Sequence, residues 1–139
     1  RSAAATFPRT LLVCAHGGNA EPLRRAVQRL RVEGRDVRAW GPPWRGDAHA
    51  GRVETSVLLA LDAARVRAEH AAAGNAEPIE RLLDDLRERG VRAISPNGVL
   101  GDPAGASAEE GHELLAAATR DLVATVENWS RTESVSLAW

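Results

Sequence analysis

Two short polar stretches hold residue types that bind metal ions or move protons. The first is His16-Gly17-Gly18-Asn19, directly after the apolar run Leu11-Leu12-Val13-Cys14-Ala15. An imidazole at the end of a strand is held on a rigid element, and the glycines beside it let a ligand or another backbone approach closely. A metal ligand is one reading of His16; a phosphate-binding or plain tight turn is the other. The second stretch is Asp47-Ala48-His49-Ala50-Gly51-Arg52-Val53-Glu54-Thr55-Ser56. His49 sits in a loop and Glu54 at a helix start, where the positive end of the helix dipole favours the carboxylate form that a metal needs. The alternative makes Glu54 a first-turn capping acid and His49 a solvated loop residue. Asp47 follows a glycine, which is also ordinary turn chemistry.

Around this second stretch, Gly41 to Gly51 reads G-P-P-W-R-G-D-A-H-A-G. Its prolines and glycines exclude regular structure and predict a shaped loop. Trp44 offers an apolar wall there, and Arg45 or Arg52 can receive a carboxylate in a bidentate fork. With Asp47, these residues form a candidate substrate-binding group; the alternative is that the arginines are solvated and Trp44 packs the loop. Other candidates fail sooner. His70 and His112 lack a partner at ligand spacing, Ser56 and Ser107 lack a nucleophile elbow, and Cys14 sits inside an apolar run.

The elements that must position these groups follow from hydrophobic spacing. Arg9 to Ala15 leaves no face polar, which predicts a buried strand with helices on both sides. Asn19 suits an N-cap and Pro22 a first helical turn. Leu23, Ala26, Val27 and Leu30 then recur at helical spacing up to Gly34, and Asp36 to Trp40 reads as a second strand. Helical spacing resumes near Glu54 through Val57, Leu58 and Leu61, and again over Pro78 to Arg89. Val91 to Ser95 reads as a third strand, followed by a turn-rich loop from Pro96 to Ala106. Ser107 and Glu110 form a capping-box pattern before a last helix carrying Leu115, Leu122, Val126 and Trp129 on one stripe. The order strand, glycine turn, helix, strand predicts an α/β fold with a parallel sheet. The segment from Arg65 to Asn75 has no clear pattern.

Eighteen basic residues, all arginine, stand against nineteen acidic ones, for a formal charge of −1. That balance predicts no nucleic acid partner. No apolar run approaches the roughly 20 residues needed to span a bilayer, so no membrane partner is expected. A single cysteine forms no internal disulfide, which predicts a cytoplasmic protein. The absence of methionine predicts that residue 1 is not a translation start.

In order along the chain, L-L-V-C-A-H-G-G-N, G-D-A-H-A-G-R-V-E-T-S and G-V-L-G-D-P-A-G-A-S-A-E-E-G resemble the creatininase family of amidohydrolases. Gly74-Asn75 and the Pro96 to Ala106 loop resemble the mycofactocin-system branch of that family, whose members release a C-terminal Val-Tyr dipeptide from a modified precursor peptide. The resemblance implies a layered α/β/α creatininase-like fold containing a parallel sheet, of which residues 1–130 are the C-terminal portion and 131–139 a loose tail. It implies a divalent metal centre of Zn, Fe or Mn, with one or two ions. His16 matches a metal ligand of the family, His49 a proton donor, and Glu54 a ligand or a residue just behind one. Gly17, Gly18 and Asn19 shape the turn at the site. Ala15 replaces the usual glycine, and Gly18 stands where creatininase itself has a metal-binding glutamate. The family's Glu-x-His and following Asp are not among these residues. The expected partners are therefore a peptide or small amide substrate, a missing N-terminal half, and further copies in a homo-oligomer. An inactive remnant of the fold, or an amidohydrolase for another small amide such as creatinine, are the other functions compatible with the residues.

Overall fold

The Arg9–Val13 strand (β1) and the Asp36–Trp40 strand (β2) pair in parallel, with Arg9 opposite Asp36 and Val13 opposite Trp40. A bond from the Cys14 amide to the Trp40 carbonyl, 2.9 Å, carries the ladder one residue further. Between them runs helix α1, Ala20–Val32. Parallel strands need such a crossover, and its apolar stripe supplies the packing, with Val27 of α1 and Val37 of β2 both buried. The helix ends in a Schellman turn: Gly34 takes φ 76°, its amide bonds the Arg31 carbonyl, and the Arg35 amide bonds the Leu30 carbonyl.

The remaining helices are α2, Arg52–Asp62; α3, Ile79–Arg89; the one-turn α4, Val91–Ile94; and α5, Ala108–Ser134. The computed structural model describes residues 1–134. It divides into two compact units, one of residues 1–43 with 124–134 and one of residues 44–123.

In the first unit Trp129 of α5 is buried, and its indole N–H donates to the Asp36 carboxylate at 3.0 Å. The Arg9 and Arg38 guanidinium groups lie 5.6 and 5.0 Å from the ring centroid, and Arg9 also pairs with Asp36 at 3.2 Å. Cation–π attraction and a charge-assisted hydrogen bond thus fix the start of β2 to the end of α5. Glu33, after α1, accepts hydrogen bonds from Arg1 and Arg29, which hold its carboxyl down at about 2.

The second unit buries Val57, Leu82, Leu100 and Ala118. Helices α2 and α5 touch at Ser56 and Gly111, both buried. Ser56 has no exposed surface, and a Cβ on Gly111 would overlap the Ser56 carbonyl and lie 2.8 Å from the Ala60 Cβ. The segment Arg65 to Asn75, unpatterned in sequence, starts at the end of a 3-10 turn, Ala63–Arg65, and contains another, Ala68–His70. It then runs beside the later loop, with Gly74 bonded to Gly101 and Asn75 to Val99.

Four expectations need correction. Val91 to Ser95 is not a third strand. The sheet of the described residues has only β1 and β2, so these apolar residues have no ladder to join, and the segment closes a helical turn with the Ser95 amide on Val91. β1 is half-exposed rather than buried on both faces, and Val13 is 59% exposed, because a two-stranded sheet covers little of its own surface. Asn19 precedes α1 but makes no side-chain cap. Residues 131–134 are helical, with Arg131 paired to Glu127 at 3.7 Å, whereas 135–139 lie outside the described residues.

Gly111→Ala tests the α2–α5 contact. Helix propensity favours alanine by about 1 kcal/mol, but the clash is with backbone, which cannot rotate away. A net loss of about 1–3 kcal/mol is expected by denaturant unfolding, as for overpacked cores; a gain in stability would mean the helices can separate there freely.

Candidate active site

His49 lies in the Gly41–Gly51 loop, held by a two-way backbone bridge to Leu100. Its amide donates to the Leu100 carbonyl at 3.1 Å and its carbonyl accepts from the Leu100 amide at 2.9 Å. Leu100 is buried, so the bridge anchors the exposed histidine to the core of the second unit. Ala50 then takes φ 54°, a conformation uncommon for a residue with a Cβ, and turns the chain into α2.

The N-cap of α2 is Gly51, which has no side chain to cap with. Glu54, in the first turn, reaches back instead. Its Oε2 accepts the Ala50 amide at 2.6 Å and lies 3.2 Å from Nδ1 of His49. One carboxylate therefore caps the helix entry and lies against the imidazole. Glu54 thus lies beside the Nδ1 edge of the ring, and Nε2 is the nitrogen away from the carboxylate. The side chains of His49 and Glu54 are 57% and 42% exposed, so a reactant can reach them.

The other residues of this stretch are engaged differently. Asp47 accepts backbone N–H groups from Arg52 at 3.3 Å and Asp102 at 3.1 Å. The Arg52 Nε donates to both oxygens of Glu110, at 3.1 and 2.9 Å. Ser56 donates to Glu110 at 2.7 Å and accepts the Ser107 amide at 3.0 Å. Hydrogen bonds from Arg52 first, and from Ser56 second, hold the Glu110 carboxyl below its usual range, while the same hydrogen bond and then the Glu110 charge raise Arg52. The capping box is therefore only half formed. The Ser107 hydroxyl takes the Glu110 amide at 3.2 Å, but the return bond to the Ser107 amide comes from Ser56, because Glu110 turns to Arg52. Trp44 donates its indole N–H to the Leu114 carbonyl at 3.2 Å. Arg45 is exposed and has no hydrogen bond or ion pair among the described residues.

His16 belongs to the first unit, after β1. Its carbonyl accepts from Asn19 at 3.1 Å and from the Cys14 thiol at 3.5 Å. Its ring folds over Gly18, where a Cβ would lie 2.7 Å from Nε2. Gly17 to Asn19 form a single 3-10 turn. The structure thus brings Asp47, His49, Arg52 and Glu54 together in the second unit, while His16 and its turn lie in the first. Among the described residues, no three His, Cys, Asp or Glu side chains converge as a metal site. No helix among the described residues is long and apolar enough to cross a membrane.

A family model for creatininase, creatinine amidohydrolase, matches residues 1–126. The chain belongs to the creatininase family. It is 48% identical over 132 residues to the mycofactocin precursor peptide peptidase of Mycobacterium ulcerans, covering 94% of this chain and 52% of that protein. Identity to the Mycobacterium tuberculosis protein of that name is 50%, covering 93% and 52%. The chain therefore spans about half the length of the curated relatives it matches. A solved structure of a proposed creatinine amidohydrolase from Bacteroides fragilis superposes with TM-score 0.69 at 23% identity, covering 88% of this chain and 54% of that one. That likeness supports the family's α/β fold.

Leu100, Asp102 and Glu110 shape the site although the sequence marks none of them as a site residue. Leu100 and Asp102 act through backbone groups, which no side-chain pattern reports. Glu110 was legible as a capping residue, but Arg52, 58 residues earlier in α2, competes for it. Because Glu110 is ionised more readily when folded, its stabilising effect is complete above the ordinary glutamate value of about 4.3. It is lost as pH falls through the lower folded value. Melting temperature followed from pH 7 to pH 3 should therefore drop less steeply for Glu110→Gln than for the native chain, from a lower starting point; parallel curves would show that the Arg52 bond adds nothing.

Proposed function

We propose that this chain supplies part of the active site of a metal-dependent amidohydrolase acting as a peptidase. Its reaction is release of a C-terminal Val-Tyr dipeptide from the modified mycofactocin precursor peptide, in the cytoplasm. The observation that carries the reading is the His49–Glu54 pair, seated in the H-A-G-x-x-E-T-S element of a chain 48% identical to a relative named for that peptidase activity.

Amide hydrolysis needs a proton on the departing nitrogen, and a positioned imidazole delivers one efficiently. Here Nε2 of His49 takes that task, while Glu54 fixes the ring through Nδ1. Glu54 is therefore better suited to orienting His49 than to ligating a metal. Of the cations in the loop, Arg45 suits the peptide's terminal carboxylate better than Arg52 does, since Arg52 already holds Glu110. Trp44 beside it keeps an apolar ring face for a side chain. A divalent metal belongs to this reading from the family resemblance. The described residues alone do not fit one, because a catalytic ion takes about three protein ligands, and none of these roles runs through it. In the intact protein His16 would be one ligand.

The 139-residue chain alone should retain well under one equivalent of metal after dialysis, and a tightly held stoichiometric ion would contradict this. In the intact, metal-loaded protein, His49→Ala should keep the metal and lose about 10²–10⁴-fold in turnover. His16→Ala should lose metal and activity together. Products from the modified precursor and from creatinine, followed by mass spectrometry, should show the dipeptide and no creatine; creatine without dipeptide overturns the substrate.

A further inference from the structure

Asp47 stands two residues before His49, and Asp102 two residues after Leu100. In an antiparallel ladder a hydrogen-bonded pair is followed by another two residues along, so 47 opposite 102 is the next such pair after His49–Leu100. The backbone does not complete that pair. The Asp47 side chain does, with Oδ2 accepting the Asp102 amide at 3.1 Å. The same oxygen accepts the Arg52 amide, the first N–H of α2, at 3.3 Å. That donor has no partner within the helix, and Gly51 has no side chain to offer it.

Two buried glycines are shaped around this carboxylate. A Cβ on Gly51 or on Gly101 would run into the Asp47 side chain. The fit leaves room for Asp47 in this one place, between the helix start and the returning loop. A substrate carrying a terminal carboxylate would also be repelled by it.

We infer that Asp47 is a positioning residue: it clamps the first turn of α2 to the Leu100–Asp102 segment and so fixes the backbone on which His49 is mounted. Its role is thus not contact with substrate. This rests on the proposed catalytic use of His49, but the clamp itself is measurable without turnover.

The test uses the intact, metal-loaded protein with Asp47→Ala and Asp47→Asn. By amide hydrogen exchange, Asp47→Ala should exchange at Arg52, Asp102, His49 and Leu100 about tenfold faster or more, as expected when hydrogen bonds to a charged acceptor are removed. Asp47→Asn keeps a carbonyl acceptor and should restore most of the protection. In turnover of the modified precursor, Asp47→Ala should lower kcat about tenfold or more with KM nearly unchanged, and Asp47→Asn should recover kcat. Unchanged exchange in Asp47→Ala overturns the clamp. A raised KM with kcat intact in either variant overturns it in favour of substrate contact. Should the alanine variant not fold, the asparagine variant decides between the two by its KM. Lost protection together with an active His49→Ala enzyme would leave the clamp standing and remove the catalytic reading instead.

Discussion

The backbone bridge between His49 and Leu100 is the constraint on which the second unit is organised. One residue of the bridge is exposed and chemically able, and the other is buried. A loop with glycines at 41, 46 and 51 has high conformational entropy when free. Two reciprocal bonds to a core residue remove that freedom at the one position where a mobile side chain would be of no use. The helix that follows gains as well. Its entry has no side chain at the N-cap, and carboxylates on either side, Asp47 and Glu54, satisfy the amides of Arg52 and Ala50. Both negative groups lie at the positive end of the α2 dipole.

From this entry the H-A-G-x-x-E-T-S element separates into two faces. His49 and Glu54 face solvent, whereas Ser56 is wholly buried against Gly111 and joins α2 to the start of α5. The buried serine does what the glutamate of a capping box ordinarily does, accepting the N-cap amide of the next helix. That releases Glu110 to bind Arg52, and the α2–α5 contact acquires a charged bond at its edge. A motif that looks like a single functional signature is thus half chemistry and half joinery. Removing Ser56 would disturb the site without Ser56 touching any reactant.

The helices were legible because apolar residues recur along them with the helical period, and β1 and β2 because they flank a glycine turn and a helix. The His49–Glu54 cluster was legible as residue types at a loop-to-helix boundary. What escaped is what depends on partners distant in sequence. Val91 to Ser95 has strand-like composition, but a strand is defined by its neighbour, and local hydrogen bonds won where no ladder was present. The partner of Asp47 lies 55 residues away and contributes only a backbone amide. Gly-Asp therefore read as a turn or a substrate contact, and nothing local separates those from a clamp. Arg52 and Arg45 are alike in sequence; only the fold shows that one is paired and the other free among the described residues.

The two histidines differ in the same physical way. His49 has a carboxylate 3.2 Å from Nδ1 and is bound through its own backbone to the core. Among the described residues His16 is held through its carbonyl, at a 3-10 turn, with its ring resting over Gly18 and no carboxylate beside either nitrogen. The proton donor proposed at His49 must be aligned with a departing group whose position it does not control, and the nearby Glu54 carboxylate restricts where its ring can turn. A metal ligand is aligned by the ion it binds and by what its other nitrogen meets. The ring of His16 also occupies the space that a side chain at residue 18 would need. A glutamate there would have to displace it, so the glycine at 18 and the present placement of His16 go together.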